Sequence, residues 1–388
     1  MKKTIAILGS TGSIGTSTLN VIKKNLHQFK IEFLSADSNY KKLIKQAKIF
    51  KAKNVCINNK KYFEIIKKRL KGNGTHVYFG KTSLGKIISK KIDYTMSSIV
   101  GVAGLEPTID AIKFSKVVAI ANKEAIICGW NLLSKYKKIF KTKLLPIDSE
   151  HFSIMQLSKD CTDDDIEEII ITASGGPFLK TPIEKLKRVK PYQAIKHPNW
   201  NMGKKISVDS ANLMNKVFEL IEAHKLFKFN INKYKIIIHP QSYVHSIIRF
   251  KNGIIKMILH DTDMKIPISN TIFESKTKMS KIKNISSKKL SQLTFFEVDS
   301  KRYPAIKLIK KCLNGGSLAP TILNASNEEL VSLFLNKKIK FTSIVKNLNK
   351  VLNNRDFGKY AKKTPKSIND IYVSDEWARL KTRSISVK

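Results

Sequence analysis

Acidic residues are scarce in this chain of 388 residues: 30 Asp and Glu stand against 72 Lys and Arg, a formal net charge of +42. Cysteine is scarcer still. The four present, Cys56, Cys128, Cys161 and Cys312, have neither metal-ligand nor redox spacing, which excludes a disulfide scaffold and points to a reducing compartment, the cytoplasm. Glycine (17) and proline (11) are few, while 42% of residues are hydrophobic and 9% aromatic, so wholesale disorder is excluded. Long apolar runs are absent: stretches such as Tyr234 to Ile238 are strand-sized, far from the ~20 residues of a membrane span. The start, Met1-Lys2-Lys3 followed by Thr4 to Leu8, is too short for the ~7–15 apolar residues of a signal peptide, so no targeting segment is expected. The lysines are spread along the chain among Asn and Ile instead of gathered in a tail or on one helix face. They are read as a solvated surface and base composition, and neither a nucleic-acid nor a membrane partner is expected.

The length suits two or three domains of ~100–200 residues. An apolar strand, Thr4 to Leu8, leads into Gly9-Ser10-Thr11-Gly12-Ser13-Ile14-Gly15, a helical stretch from Thr16 to Lys24 and a second strand, Ile31 to Leu34. Short β-rich runs recur at Asn54 to Ile57, His76 to Phe79, Tyr94 to Ile99, Val117 to Ile120 and Leu144 to Ile147, with helical stretches between. This alternation predicts a doubly wound parallel sheet. From His151 a second α/β or α+β domain is expected, with strands over Glu167 to Thr172 and Lys235 to His239 and a helix over Asp209 to Phe227. Lys276 to Lys289 has a linker's composition, and beyond Tyr303 the pattern is helical, clearest over Asn327 to Leu335 and Thr342 to Leu352.

Gly9, Gly12 and Gly15 fall where the first strand turns into a helix. A Cβ there would keep backbone N–H groups from a dinucleotide's pyrophosphate. Asp37, at the end of the second strand, lies where an acid accepts from a ribose 2′-OH, which favours a nicotinamide cofactor. Asp148 and Glu150, at i and i+2 on an extended chain, would point two hard-metal ligands to one face; the bland reading is a helix-capping Asp-Ser-Glu. Asn212, Asn215, Lys216 and Glu219 form a polar stripe at i, i+3, i+4 and i+7, opposite an apolar one. Ser174-Gly175-Gly176-Pro177 and Ser210 suit an oxyanion, or are ordinary turns and caps. His197 to Gly203, broken by Pro and Gly, could close as a lid.

Taken together, these segments resemble the 1-deoxy-D-xylulose 5-phosphate reductoisomerase family over nearly the whole chain. The resemblance rests on the glycine turn, Ala121-Asn122-Lys123-Glu124, Pro146 to His151, Ser174 to Phe178, His197 to Gly203, Lys205 to Ala211, Met214-Asn215-Lys216, Glu219, His239-Pro240-Gln241-Ser242 and Asn324 to Glu328. It implies a Rossmann-like NADPH-binding domain over 1–147, a catalytic domain over 148–285 with a lid at 197–205, a linker over 286–303 and a small C-terminal helical bundle domain over 304–388. It also implies an enzyme that isomerises and reduces a phosphorylated sugar, 1-deoxy-D-xylulose 5-phosphate, to 2-C-methyl-D-erythritol 4-phosphate with NADPH and Mg or Mn, as a homodimer. The metal would sit among Asp148, Glu150 and Glu219. Ser174, His197, Ser210, Asn215 and Lys216 would bind phosphate and substrate backbone, with Lys123, Ser149 and Glu150 at the reacting end, and Trp200 and Met202 in the lid. Thr11, Gly12, Ser13, Ile14, Asp37, Ser38, Asn39, Asn122, Glu124 and Gly203 would hold the cofactor. After the second strand the family shows Gly, a basic residue, then Asn, where this chain has Ala36-Asp37-Ser38-Asn39; a carboxylate there opposes a 2′-phosphate. An aspartate-semialdehyde dehydrogenase-like enzyme would need an activated cysteine, and no cysteine here has a suitable setting.

Overall fold

The computed structural model describes residues 2–81, 83–200, 202–274 and 285–386. Their contacts form two units. The first holds the described residues up to 126, then 130–152 and 263–274; the second holds 127–129, 153–262 and 285–386.

In the first unit, the short aliphatic runs form β1 (Lys3–Leu8), β2 (Phe29–Ala36), β3 (Asn54–Ile57), β4 (His76–Phe79), β5 (Ile92–Ser97), β6 (Ser115–Ile120) and β7 (Lys143–Pro146). They pair in the order β4-β3-β2-β1-β5-β6-β7, every pair parallel. Parallel strands covered on both faces must be apolar nearly throughout, and Ile5, Ala6, Ile7 and Leu8 of β1 are all buried. Helices α1 (Ser13–Lys23), α2 (Tyr40–Phe50), α3 (Phe63–Leu70), α4 (Leu105–Phe114) and α5 (Lys123–Phe140) alternate with these strands. From α1 and α2, Leu19, Ile22 and Leu43 join Ile5, Ile7, Ile31 and Leu34 in the core. Chain order runs outward from β1 to β4 and then resumes at β5, so the topological switch lies between β1 and β5, where α/β sheets bind ligands.

The second unit takes up the chain within α6 (Ser149–Leu157), followed by β8 (Ile166–Ala173), α7 (Pro191–Ala194), α8 (Lys204–Ala211), α9 (Met214–Phe227), β9 (Tyr234–Ile238), β10 (Val244–Phe250) and β11 (Ile255–Leu259). Next, α10 (Lys265–Phe273) returns to the first unit, adding Ile268 and Ile272 to its core. The second unit resumes with α11 (Ser287–Leu290), β12 (Phe296–Glu297) and helices α12 (Leu308–Asn314), α13 (Ala319–Leu335), α14 (Ser343–Leu352), α15 (Phe357–Ala361) and α16 (Ile368–Ser386). Its sheet is mixed, in the order β11-β10-β8-β9-β12, with β8 and β9 parallel and the other pairs antiparallel.

Three sequence expectations are corrected here. The single helix over Asp209 to Phe227 is two, because Leu213 sits at φ +61° and the Asn212 carboxamide accepts the Met214 N–H at 2.9 Å, ending α8 and starting α9. Asn212 is therefore a turn residue and leaves the polar stripe. β10 and β11 were outside the expected strands, since His245, Ser246 and Arg249 interrupt the aliphatic pattern of β10. The expected linker over 286–303 carries α11 and β12, and Tyr303 is buried with its hydroxyl donating to Gly175 O at 2.8 Å. The rest of the lysine- and serine-rich stretch, 276–284, lies outside the described residues.

Candidate active site

The glycine turn closes by contacts a side chain would forbid. Gly9 has φ +79°, and a Cβ on Gly15 would stand 2.5 Å from Gly9 O. With α1 so close to β1, Gly12 is the N-cap, and the first-turn N–H groups behind it, including Ser13 and Ile14, have no intrahelical acceptor. Gly12 and Ser13 are exposed and Thr11 half-buried, an opening suited to a pyrophosphate. Neighbouring elements pin the turn. Ser10 N–H donates to Ser35 O at 2.8 Å, and the buried Gln46 of α2 accepts from Ser10 Oγ and donates to Ser10 O, both at 2.8 Å. Ser98, just past β5, donates through N–H and Oγ to Leu8 O at 3.0 and 2.7 Å. Gln46 and Ser98 were not anticipated from the sequence; a buried polar residue on an otherwise amphipathic α2 was the available signal for Gln46.

The expected cofactor residues divide into two kinds. Asp37, Ser38 and Asn39 are exposed just past β2, with Asn39 capping α2 by accepting the Lys42 N–H at 3.2 Å. Asn122, by contrast, is buried and its carboxamide is spent on structure: it caps α5 through the Ala125 N–H at 3.1 Å and donates to Ile99 O and to Gly101 O. Glu124 is buried in the first turn of α5. Gly203 belongs to the second unit, as the N-cap of α8.

At the end of β7, Asp148 and Glu150 are not on an extended chain. Asp148 O accepts the Phe152 N–H at 2.8 Å, so Asp148 precedes α6 and Glu150 lies in its first turn, the capping arrangement. Helix geometry replaces strand alternation here because a chain leaving a parallel strand must turn back along the sheet. Lys123, buried at the start of α5, places its ammonium 2.7 Å from Asp148 Oδ2. Burial opposes the charge on Asp148, but the Lys123 ammonium beside it overcomes this and holds the carboxyl well below the usual range. Ser149 donates its hydroxyl to the Glu150 carboxylate.

In the second unit the loop after β8 meets the junction of α8 and α9. Gly176 lies at φ +67°, and a Cβ on it would stand 2.8 Å from Ala211 Cα and Ser210 O, so only a glycine lets this loop pack on the end of α8 that carries the half-buried Ser210. His197 Nδ1 accepts the N–H groups of Asn199 and Trp200 at 3.2 and 3.0 Å, which puts the ring proton on Nε2. Nε2 then donates to Ser174 Oγ at 2.9 Å, and Gly176 N–H donates to the same oxygen at 3.1 Å. With two donors on its oxygen, the Ser174 hydroxyl is set to donate outward. Burial, reinforced by the Lys216 ammonium, lowers the His197 pKa to about 4, keeping the ring neutral. On α9, Asn215, Lys216 and Glu219 are buried; Asn215 donates to Glu219 Oε1, and Lys216 Nζ stands 2.6 Å from Oε2. Asn199, unanticipated as an individual residue, donates its carboxamide to Pro240 O at 2.6 Å and Ser242 Oγ at 2.8 Å, joining the 197–203 segment to His239-Pro240-Gln241-Ser242. Trp200 and Met202 are half-buried, Trp200 edge-on to His245 at 6.1 Å between centroids; Asn201 lies outside the described residues.

The seven-stranded sheet, with its glycine turn at the switch point, is that of a dinucleotide-binding oxidoreductase. Three family models match: 1-deoxy-D-xylulose 5-phosphate reductoisomerase over residues 5–129, its C-terminal domain over 144–227, and the DXP reductoisomerase C-terminal domain over 259–381. The chain belongs to the 1-deoxy-D-xylulose 5-phosphate reductoisomerase family. It is 48% identical over 389 aligned positions to the reductoisomerase of Pelagibacter ubique, covering 100% of both chains, and 38% identical to that of Zymomonas mobilis, covering 99% of this chain and 97% of the relative. The solved structure of the Zymomonas mobilis enzyme in complex with NADPH superposes with a TM-score of 0.91 at 36% identity, covering 100% of this chain and 99% of that one. A reductoisomerase solved with NADPH, fosmidomycin and magnesium gives 0.92 at 30% identity, covering 99% and 98%.

Proposed function

We propose that this protein converts 1-deoxy-D-xylulose 5-phosphate to 2-C-methyl-D-erythritol 4-phosphate, using a reduced nicotinamide dinucleotide, NADPH in its relatives, and Mg or Mn. The family match over the full length carries this reading. The donor chemistry fits the groups required. Asp148, Glu150 and Glu219 offer hard carboxylate oxygens of the kind Mg and Mn prefer, and the turn at Gly9 to Gly15 packs α1 against β1 with its first-turn N–H groups open to a pyrophosphate. When bound, the cation would polarise the substrate's carbonyl and hydroxyl oxygens, and the dinucleotide would supply the hydride.

The remaining work falls to the chain's own side chains. In each unit a lysine stands against a carboxylate, Lys123 2.7 Å from Asp148 and Lys216 2.6 Å from Glu219. Of the two lysines, Lys216 would serve the substrate phosphate and Lys123 the reacting oxygens, where its ammonium can give or hold a proton. Ser174, oriented by the neutral His197, with Ser210 and Asn215, would hold the phosphate and substrate backbone. Met202 and Trp200 would belong to a lid over the bound sugar.

The test is loss of reduced-nicotinamide absorbance when 1-deoxy-D-xylulose 5-phosphate is added with Mg or Mn. Oxidation that stops with chelator and falls by about 10²–10⁴-fold in Glu219→Gln, the equivalent of several kcal/mol of lost charge stabilisation, is expected. Turnover that survives chelation would sink the metal assignment. We further propose a cytoplasmic homodimer. Among the described residues no helix is long and apolar enough to cross a membrane, and the edge strand β11 exposes Ile255 and Met257, at 55% and 42%, as a surface for a second copy. Sedimentation should give a dimer for the unaltered protein and a monomer for Ile255→Lys/Met257→Lys.

A further inference from the structure

The end of β2 carries a carboxylate where a dinucleotide's adenosine ribose is read. Asp37 is exposed, and its Oδ1 accepts the Asn58 carboxamide N–H at 2.8 Å. Its backbone is held on both sides: Asn58 N–H donates to Ala36 O at 2.9 Å and Asn59 N–H to Asp37 O at 3.0 Å, extending the β2–β3 ladder past the strands. The same strand end holds the glycine turn through Ser35, two residues before Asp37. The carboxylate is therefore fixed relative to the pyrophosphate cradle rather than placed on a free loop. Of the nearby cations, Lys42 is committed elsewhere, its ammonium donating to Thr11 O at 2.9 Å in the turn itself. Lys61 lies over the Tyr62 ring, 6.0 Å from its centroid, and that ring stacks on Tyr40 at 4.5 Å.

We propose that Asp37 is a specificity-determining residue that accepts the 2′-hydroxyl of the adenosine ribose, so that NADH is a working cofactor on a par with NADPH. The inference rests on the proposed use of a nicotinamide dinucleotide. A 2′-hydroxyl can donate to the outer carboxylate oxygen, whereas a 2′-phosphate brings a charge of about −1.5 to −2 against the carboxylate. The excess of lysine, including Lys41, Lys60 and Lys61 on the adjoining segments, keeps NADPH bound in spite of that repulsion. Dual use, not exclusion of NADPH, is the consequence.

The experiment is equilibrium titration of the full-length protein with NADH and with NADPH at one fixed ionic strength, by calorimetry and without sugar substrate. Kd values within about tenfold of each other are expected. Asp37→Asn keeps an oxygen for Asn58 but removes the charge; it should tighten NADPH by about tenfold and weaken NADH severalfold, and Asn58→Ala should weaken NADH while leaving NADPH nearly unchanged. NADPH binding more than tenfold tighter than NADH in the unaltered protein, or Asp37→Asn leaving both Kd values where they were, overturns the proposal. Turnover of the sugar phosphate, measured separately, keeps the two readings apart. A large NADPH preference with turnover defeats only the role of Asp37, balanced binding without turnover defeats only the reaction, and failure to bind either dinucleotide defeats both.

Discussion

His197 owes its neutrality to its surroundings: burial lowers its pKa to about 4, and Lys216 pushes the same way. In the unfolded chain a histidine titrates near 6.5, so between those values the unfolded state binds the extra proton. The stability linked to His197 is therefore complete above pH 6.5 and lost as the pH falls toward 4. Urea midpoints at pH 7.5 and 5.0 should show that decline, and His197→Asn, which retains an acceptor for the two backbone N–H groups, should show a smaller one; an equal decline in both would contradict the assignment. In activity the same variant should raise KM for the sugar phosphate more than it lowers kcat, because the side chain orients Ser174.

Between elements, the decisive contact is a loop crossing a helix junction. Gly176→Ala has both a positive φ to strain and Ala211 Cα and Ser210 O at 2.8 Å to displace. A cost of about 1–3 kcal/mol in denaturant unfolding is expected, together with weaker binding of the sugar phosphate. The helix α8 is tied from its other side. Asp209, almost fully buried, accepts the Asn327 carboxamide of α13 at 2.7 Å and faces Lys205 at 3.2 Å. This gives the Asn324 to Glu328 motif a structural meaning: it anchors the helix that carries Ser210. Asn327→Leu should remove one buried hydrogen bond to Asp209 and cost about 1–3 kcal/mol by urea melting. Unchanged stability would contradict this anchoring role.

The charge of +42 belongs to the whole molecule. Like charges so numerous repel one another in the folded state, and salt shortens their reach from ~30 Å at 0.01 M to ~8 Å at 0.15 M. The melting temperature should therefore rise over that range of ionic strength. A fall would show that surface pairs such as Lys81 with Glu106, 3.2 Å apart, outweigh the repulsion.

Local patterns in the chain determined much by themselves. Short β-rich runs bounded by turn formers and alternating with helical stretches read as strands, so all seven strands of the first sheet were legible, as was the glycine turn whose spacing meets a need of the backbone. Residue types likewise singled out Glu219, Ser174 and His197 as candidates, and the family resemblance added Lys123. Tertiary structure decided the rest, because the deciding partners are distant in sequence. The end of a parallel strand turned Asp148 and Glu150 into a helix start. Packing of Gly176 at the α8–α9 junction and the left-handed Leu213 divided an apparently continuous helical pattern in two. The Asn122 carboxamide, expected beside the cofactor, clamps Ile99 and Gly101, and Asn58, 21 residues from Asp37, holds the Asp37 carboxylate. Hydrogen bonds of that span leave no periodicity in the sequence; only the folded chain brings their ends together.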